Sequence, residues 1–244
     1  MSGLAETRVV VAEKNDAMAR EPGQGFLTGS IVIDDGGVKG DLHDRVWNGP
    51  RNDRPVSILD HDARFILLVE KDVIFRRLLE DRFRLKNGCV LASGDGYPSR
   101  NFRRLLRQFQ DQLQIPFYVL ADNDPGGYFL FFLMARGAAG QHSGPRASMA
   151  IPGARYVGMR SGDLSRYGLG ESVRIKLHER EIQQLKQLKN SPWLESSLQW
   201  QQEIDEMLRR GSKLEMEAFY SLSVSYLSDS YLPERFASQD FLNF

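Results

Sequence analysis

Residues Phe117–Tyr128 read FYVLADNDPGGY. An apolar run, FYVLA, stops at Asp122, and Asp124 follows ahead of Pro125-Gly126-Gly127. A short run rich in aromatic and β-branched residues predicts a strand buried on both faces. Such a strand delivers two carboxylates at its C-terminal tip. Asp, Asn, Pro and Gly are also favoured turn residues, so the stretch reads as a tight turn as well.

Working outward, the run FILLV at 65–69 is of the same kind and ends in Glu70. It leads into KDVIFRRLLEDRFR, where Val73, Leu78 and Phe83 fall near one helical face. CVLA at 89–92 predicts a further strand, followed by the turn-rich SGDGYPSR. The next segment is an amphipathic helix: Phe102, Leu105, Leu106, Phe109 and Leu113 recur at helical spacing. YFLFFLMARGAAG after the aspartates predicts a buried helix. Alternating strands and helices predict a mostly parallel α/β sheet flanked by helices, with right-handed crossovers. Ligands of such sheets bind beyond the C-terminal strand ends. That rule gathers Glu70, the Gly94–Arg100 loop and Asp122/Asp124 on one edge.

Flanking regions are less regular. Residues 1–25, with the run RVVVA, read as an N-terminal lead-in strand or frayed segment that closes in a loop. FLTGSIV at 26–32 predicts one strand, closed by Asp34-Asp35-Gly36-Gly37. Residues 38–56 read as a long loop, as do 140–148, and RYVGM reads as a late strand. From Glu179 onward three segments, HEREIQQLKQLKN, SSLQWQQEIDEMLRRG and KLEMEAFYSLSVSYLSDSYL, are helical by pattern, with Pro192, Gly211 and Pro233 between them. The expected organisation is therefore a lead-in (1–25), an α/β domain (26–178) and a helical C-terminal region (179–244) packed on it.

Converging carboxylates repel and lose hydration unless a cation neutralises them. An all-oxygen set suits Mg²⁺ rather than zinc. The four histidines have no ligand spacing, and Cys89 stands alone in an apolar run, which excludes a structural zinc site and an intrachain disulfide. Glu70 also suits the start of the following helix, where its charge meets the helix dipole. Gly94 and Gly96, between a strand and an Arg-rich helix start, suit either a tight turn or a phosphate-binding turn, without the Walker pattern. Of the Arg100, Arg103, Arg104 and Arg107 cluster, Arg100 and Arg103 lie nearest the sheet edge and suit a nucleic-acid phosphate. A phosphatase use of Asp-x-Asp needs a nearby Thr or Ser, which Pro125-Gly126-Gly127 does not offer.

At 244 residues, 41% hydrophobic and 26% charged, the chain has an ordinary globular composition. Its formal net charge of zero excludes a globally basic nucleic-acid binder but not a local basic face. The sole cysteine, no secretion-type leader and no apolar run near the ~20 residues of a membrane span predict an intracellular protein without a membrane partner.

A glutamate ending one strand and Asp-x-Asp ending a later one resembles the TOPRIM pattern. The match narrows with VEK at 69–71, the Gly96–Leu106 stretch, YVLADNDPGGY, IPGARYVGMRSGDL, SPWLESSLQWQQEIDEMLRRGSKLEMEAF and YLPERF. In order and spacing these resemble the A subunit of DNA topoisomerase VI and the related meiotic double-strand-break proteins, over roughly residues 25–242. The resemblance implies a TOPRIM-type, Rossmann-like fold with Glu70, Asp122 and Asp124 as Mg²⁺ ligands. It implies a homodimer on double-stranded DNA, an ATP-binding B-type partner, and type IIB topoisomerase chemistry. In that chemistry a tyrosine attacks the phosphodiester, leaving a 5′-phosphotyrosyl link. Localisation would follow the DNA: cytoplasm or nucleoid in a prokaryote, nucleus in a eukaryote.

The family's tyrosine lies ahead of the TOPRIM domain, and no tyrosine precedes Tyr97 here. Tyr97 and Tyr128 do not match it, so no catalytic nucleophile is assigned. The sequence thus reads as a truncated form, an incomplete gene product or a natural short form that obtains its nucleophile elsewhere. Gly126 also departs from the family, which commonly has an aromatic there. The competing readings are a hydrolytic TOPRIM nuclease with a metal-activated water, and a non-catalytic DNA-holding dimerisation module.

Overall fold

The chain enters through strand β1 (Phe26–Gly29), turns sharply at Ser30 and continues as β2 (Ile31–Asp35). A computed structural model describes residues 25–50, 56–137, 149–195 and 197–243. The run RVVVA and the 140–148 loop lie outside the described residues. FLTGSIV is therefore not one strand. Gly29 has φ +144°, and a Cβ there would sit 2.2 Å from the Cys89 carbonyl oxygen, so the break needs glycine.

The expected 38–56 loop also contains structure. β2 hairpins into β3 (Val38–Asp41) through Gly36 and Gly37, both at positive φ, and β4 (Val56–His61) pairs on the other side of β2. Lys39, Gly40 and Asp41 have low strand propensity, so pairing with β2 imposes the extended backbone.

The main sheet follows the expected pattern. β5 (Phe65–Val69), β6 (Cys89–Ser93) and β7 (Phe117–Leu120) are buried along their whole length. With β8 (Arg155–Tyr156) they form a five-stranded sheet in the order β1-β6-β5-β7-β8, parallel except for β1. Alternate residues serve opposite faces. Phe65, Leu67, Val69, Cys89 and Leu91 join a core with helices α1 (Asp72–Glu80) and α2 (Phe83–Asn87). Ile66, Leu68, Val90, Ala92 and Val119 join one with α3 (Arg100–Leu113) and α4 (Pro125–Arg136).

All five predicted apolar residues of α3 are buried, worth on the order of 10 kcal/mol of hydrophobic stabilisation. The α1 face differs from expectation. Val73 is 45% exposed, and Ile74, Phe75 and Leu78 fill the core. Arg82 takes a left-handed conformation (φ +56°) that ends the first helix, so Phe83 begins a new one with a new phase.

Strand order places β5 centrally. The chain leaves β5 for β6 through α1 and α2 on one face, then crosses back to β7 through α3 on the other. Opposite directions of travel with one crossover hand require opposite faces. The C-terminal ends of β5 and β7 therefore flank a topological switch point, where α/β sheets form their ligand crevice.

After the short α5 (Asp163–Arg166) and β9 (Ile175–Lys176) come α6 (Glu179–Lys189) and α7 (Leu198–Arg210), both helical as expected. The third expected helix is not one element. β10 (Ser212–Lys213) pairs with β9, a 3₁₀ turn spans Met216–Ser221, and a π turn at Leu227–Tyr231 leads into α8 (Leu232–Ser238). Ser212, Leu214 and Met216, leading into the 3₁₀ turn, are buried alternately, the period of extended chain, which the helical reading overlooked. The tail packs on both faces of the sheet: α6 and α7 beside α4, and residues 214–232 beside α1 and α2.

A buried ion pair anchors the tail. Arg235, 1% exposed, binds Asp163 and Asp240, and its guanidinium lies 4.9 Å from the Tyr231 ring centroid. The Asp163 carboxylate also accepts the Arg160 N–H (2.9 Å) and the Tyr231 hydroxyl (3.2 Å). Arg235→Met should strand that carboxylate without its counter-charge and lower stability by about 3 kcal/mol in urea unfolding. Arg166→Met, which breaks the part-exposed bridges to Glu234 and Asp240 but leaves Asp240 its Arg235 and Arg160 partners, should cost less than about 1 kcal/mol. Equal losses would show that Arg235 is not the anchor.

Candidate metal site

Glu70 lies one residue past β5, Asp122 two past β7, and Asp124 caps α4. Parallel pairing of β5 with β7 brings these tips together: the Glu70 N–H donates to the Leu120 carbonyl (3.0 Å), and the Asp122 N–H donates to Glu70 Oε2 (3.2 Å). Asp122 is 3% exposed. Burial raises the Glu70 carboxyl to about 8, reinforced by the charges of Asp124 and Asp122. Burial likewise raises Asp122 to about 6, outweighing the opposing charge of Lys71. The charges of Asp124 and Asp122 thus sit close enough to Glu70 to penalise its ionisation.

Each also has a protein partner. Asp124 Oδ1 accepts the Gly127 N–H (2.7 Å) as the N-cap of α4, with Pro125 in the first turn. DNDPGG is therefore a helix start and an acidic tip at once. Gly127 is required by space, since a Cβ there would meet the Asp122 carbonyl oxygen at 2.5 Å. Asp122 Oδ1 accepts the Met216 N–H (2.8 Å), and Oδ2 takes the Lys71 ammonium (2.7 Å). Lys71 also reaches Glu217 (2.8 Å) and Glu215 (3.3 Å). In this arrangement no three His, Cys, Asp or Glu side chains among the described residues are gathered tightly enough to hold a metal ion.

The glycine loop is stapled to the same edge. The Gly96 N–H donates to the Glu70 carbonyl (2.8 Å) and the Asp95 N–H to Ser93 Oγ (3.2 Å), while Gly94 packs against Pro98. Two of the N–H groups of the expected phosphate turn are thus engaged within the protein. Ser99 caps α3, which puts exposed Arg100 and half-buried Arg103 in its first turn beside this loop. Arg107 turns away, to Asp111 (2.8 Å) and the Ala150 carbonyl.

Tyr97 is 50% exposed, donates its hydroxyl to the Gly126 carbonyl (2.9 Å) and touches the Phe129 ring. Burial, with Glu70 and Asp124, pushes its phenol up to about 12. Tyr128 is fully buried, with its phenol far above the usual range, and donates to Glu203 (2.7 Å).

Sequence reasoning missed several contributors. The Leu214 backbone exchanges two hydrogen bonds with Asn123 (3.0 and 3.1 Å), laying residues 213–217 across the strand ends. Beneath the acidic tip, Glu203 gathers the Tyr128 hydroxyl, the Ser161 N–H (2.7 Å) and the Asn123 amide (3.3 Å). The Tyr156 hydroxyl donates to the carbonyl of Asp122 (2.8 Å). Only the alternation of polar and apolar residues in SKLEMEA signalled that this tail segment is extended.

The family model for the Toprim domain of the topoisomerase 6 A subunit/Spo11 proteins matches residues 65–236. The chain is 31% identical over 222 residues to the DNA topoisomerase 6 A subunit of Arabidopsis thaliana, covering 90% of this chain and 52% of that protein. It is 32% identical over 232 residues to the type 2 DNA topoisomerase 6 A subunit of Hyperthermus butylicus, covering 90% and 59%. To the meiotic recombination protein SPO11-1 of Oryza sativa subsp. indica it is 32% identical over 174 residues, covering 71% and 45%. The chain spans about half the length of the curated relatives it matches. With the parallel sheet and the acidic strand tips, these matches bear out the resemblance: the chain belongs, through its Toprim domain, to the family of the topoisomerase 6 A subunit and Spo11.

Proposed function

We propose that this chain is the metal-binding Toprim portion of a topoisomerase VI A-type protein that cleaves and rejoins double-stranded DNA. The observation that carries the reading is the placement of Glu70, Asp122 and Asp124 at the ends of adjacent parallel strands, at the switch point of the sheet. The donor set fits Mg²⁺: its ligands are all oxygens, and burial, with the charges of Asp124 and Asp122, raises Glu70. Glu70, Asp122 and Asp124 would hold the ion, with Lys71 yielding at Asp122. When bound, Mg²⁺ supplies charge neutralisation at the scissile phosphate and at the leaving 3′ oxygen.

Arg100 and Arg103 would take flanking phosphates. The first turn of α3 carries no acidic residue, so these cations sit at the positive end of the helix dipole, an arrangement that a bound polyanion stabilises. The Gly94–Gly96 turn positions Tyr97 and α3 against Glu70.

The nucleophile is proposed to come from a tyrosine outside these residues. Tyr128, Tyr156 and Tyr231 are fully buried, with phenols held far above neutrality by burial, and Tyr97 is raised and hydrogen-bonded. Membership of this family supports a homodimer on DNA and an ATP-binding B-type partner, with the protein residing where the DNA is.

Titrating Mg²⁺ should raise the melting temperature of the wild-type chain, by about 1.4 kcal/mol of stability at ten times Kd. Asp122→Asn and Asp124→Asn should keep the fold, seen by circular dichroism, and lose the rise. A rise that persists in both variants would remove the site assignment.

Arg100→Gln and Arg103→Gln should each weaken duplex binding across sequences and reduce the salt slope by about 1; unchanged slopes would take this face away from the DNA. With supercoiled DNA, Mg²⁺ and a B-type partner, denaturation of the full-length protein should trap covalent 5′ protein–DNA adducts. Free 5′-phosphate ends without adducts would mean hydrolysis instead.

A further inference from the structure

We propose that Lys71 is a positioning residue: a built-in counter-cation that competes with the divalent ion for Asp122 and moves onto Glu215 and Glu217 when that ion binds. This rests on the metal-site reading above. Three observations carry it. First, Met216 holds Asp122 Oδ1, and the other oxygen, Oδ2, carries the Lys71 ammonium at 2.7 Å. A cation reaching Oδ2 meets Lys71 there. Second, Lys71 already has a second seat, at 2.8 Å from Glu217 and 3.3 Å from Glu215, both more exposed than Asp122. An ammonium has three donors, and these three carboxylates use them. Third, that seat is built by the fold: the Asn123–Leu214 backbone pair pins residues 214–217 over the strand ends, so Glu215 and Glu217 stay within reach.

The physics is an exchange of counter-ions. Lys71 keeps Asp122 from being a buried, unpaired charge. A divalent cation on Asp122 would repel an ammonium a few ångströms away. Glu215 and Glu217 let the lysine withdraw without losing its own partners. Affinity for the ion is thus set by how readily the lysine leaves, and Glu217 acts on the metal only through Lys71.

The test is Mg²⁺ binding by calorimetry at constant ionic strength, with metal-free melting temperatures as a second readout. Lys71→Met should bind Mg²⁺ about tenfold more tightly and melt lower without metal. Lys71→Arg should stay near wild type. Glu217→Gln should bind several-fold more weakly, and the change should vanish in the Lys71→Met background. Lys86→Met removes the same charge from a lysine paired with Asp229 (3.0 Å) rather than Asp122, and should shift affinity less than twofold.

If Lys71→Met binds no tighter than Lys86→Met, the lysine is not a competitor. If the Glu217→Gln effect survives without Lys71, Glu217 acts directly and the exchange is refuted. Should Lys71→Met not fold, Glu217→Gln in the intact chain decides: unchanged affinity overturns the proposal. Absence of Mg²⁺ binding by the wild type would instead overturn the metal-site reading itself.

Discussion

Placing carboxylates at the buried ends of parallel strands is the constraint to which much of this structure responds. Asp122 is almost without solvent, and an ionised carboxylate there is costly unless neighbours compensate it. The chain compensates with groups from far apart in sequence: Lys71 after β5 and the Met216 N–H from the tail. Burial still outweighs these contacts, so Glu70 and Asp122 remain above the usual carboxylate range. An environment that keeps acidic oxygens together at such a cost favours a cation in the same place.

The sheet's connectivity explains why the acids converge. β5 is central, and its neighbours are reached by crossovers on opposite faces. The tips of β5 and β7 are therefore uncovered by any crossover helix between them. The tail then closes this edge, with Leu214 paired to Asn123 and Glu203 tying together Tyr128, Ser161 and Asn123. The C-terminal region thus borders the acidic strand tips, and Arg235 anchors it.

Local rules read well wherever local physics governs. FILLV, CVLA and FYVLA announced the central strands because burial on both faces requires continuous apolar runs. Phe102 to Leu113 announced α3 because one helical face must be apolar. The rules failed where long-range pairing governs. Val38–Asp41 is a strand only because β2 lies beside it. Val73 lies outside the core because Ile74, Phe75 and Leu78 form the buried face of its helix, and Phe83 is buried from a separate helix begun after Arg82. Residues 212–215 include helix-forming Lys, Leu and Glu, yet extend because backbone bonds are supplied by β9 and Asn123.

By itself the sequence determined the parallel α/β class, the three acidic residues and the family, since these depend on the order and period of residues along the chain. Only the tertiary structure decided that Lys71, Glu215, Glu217 and Glu203 surround those acids. The positions of the three glutamates depend on how a tail far downstream of Asp122 (Met216 lies 94 residues away) folds back over the sheet. No local propensity encodes that return; backbone pairing at Asn123 and alternate burial of Leu214 and Met216 bring it about.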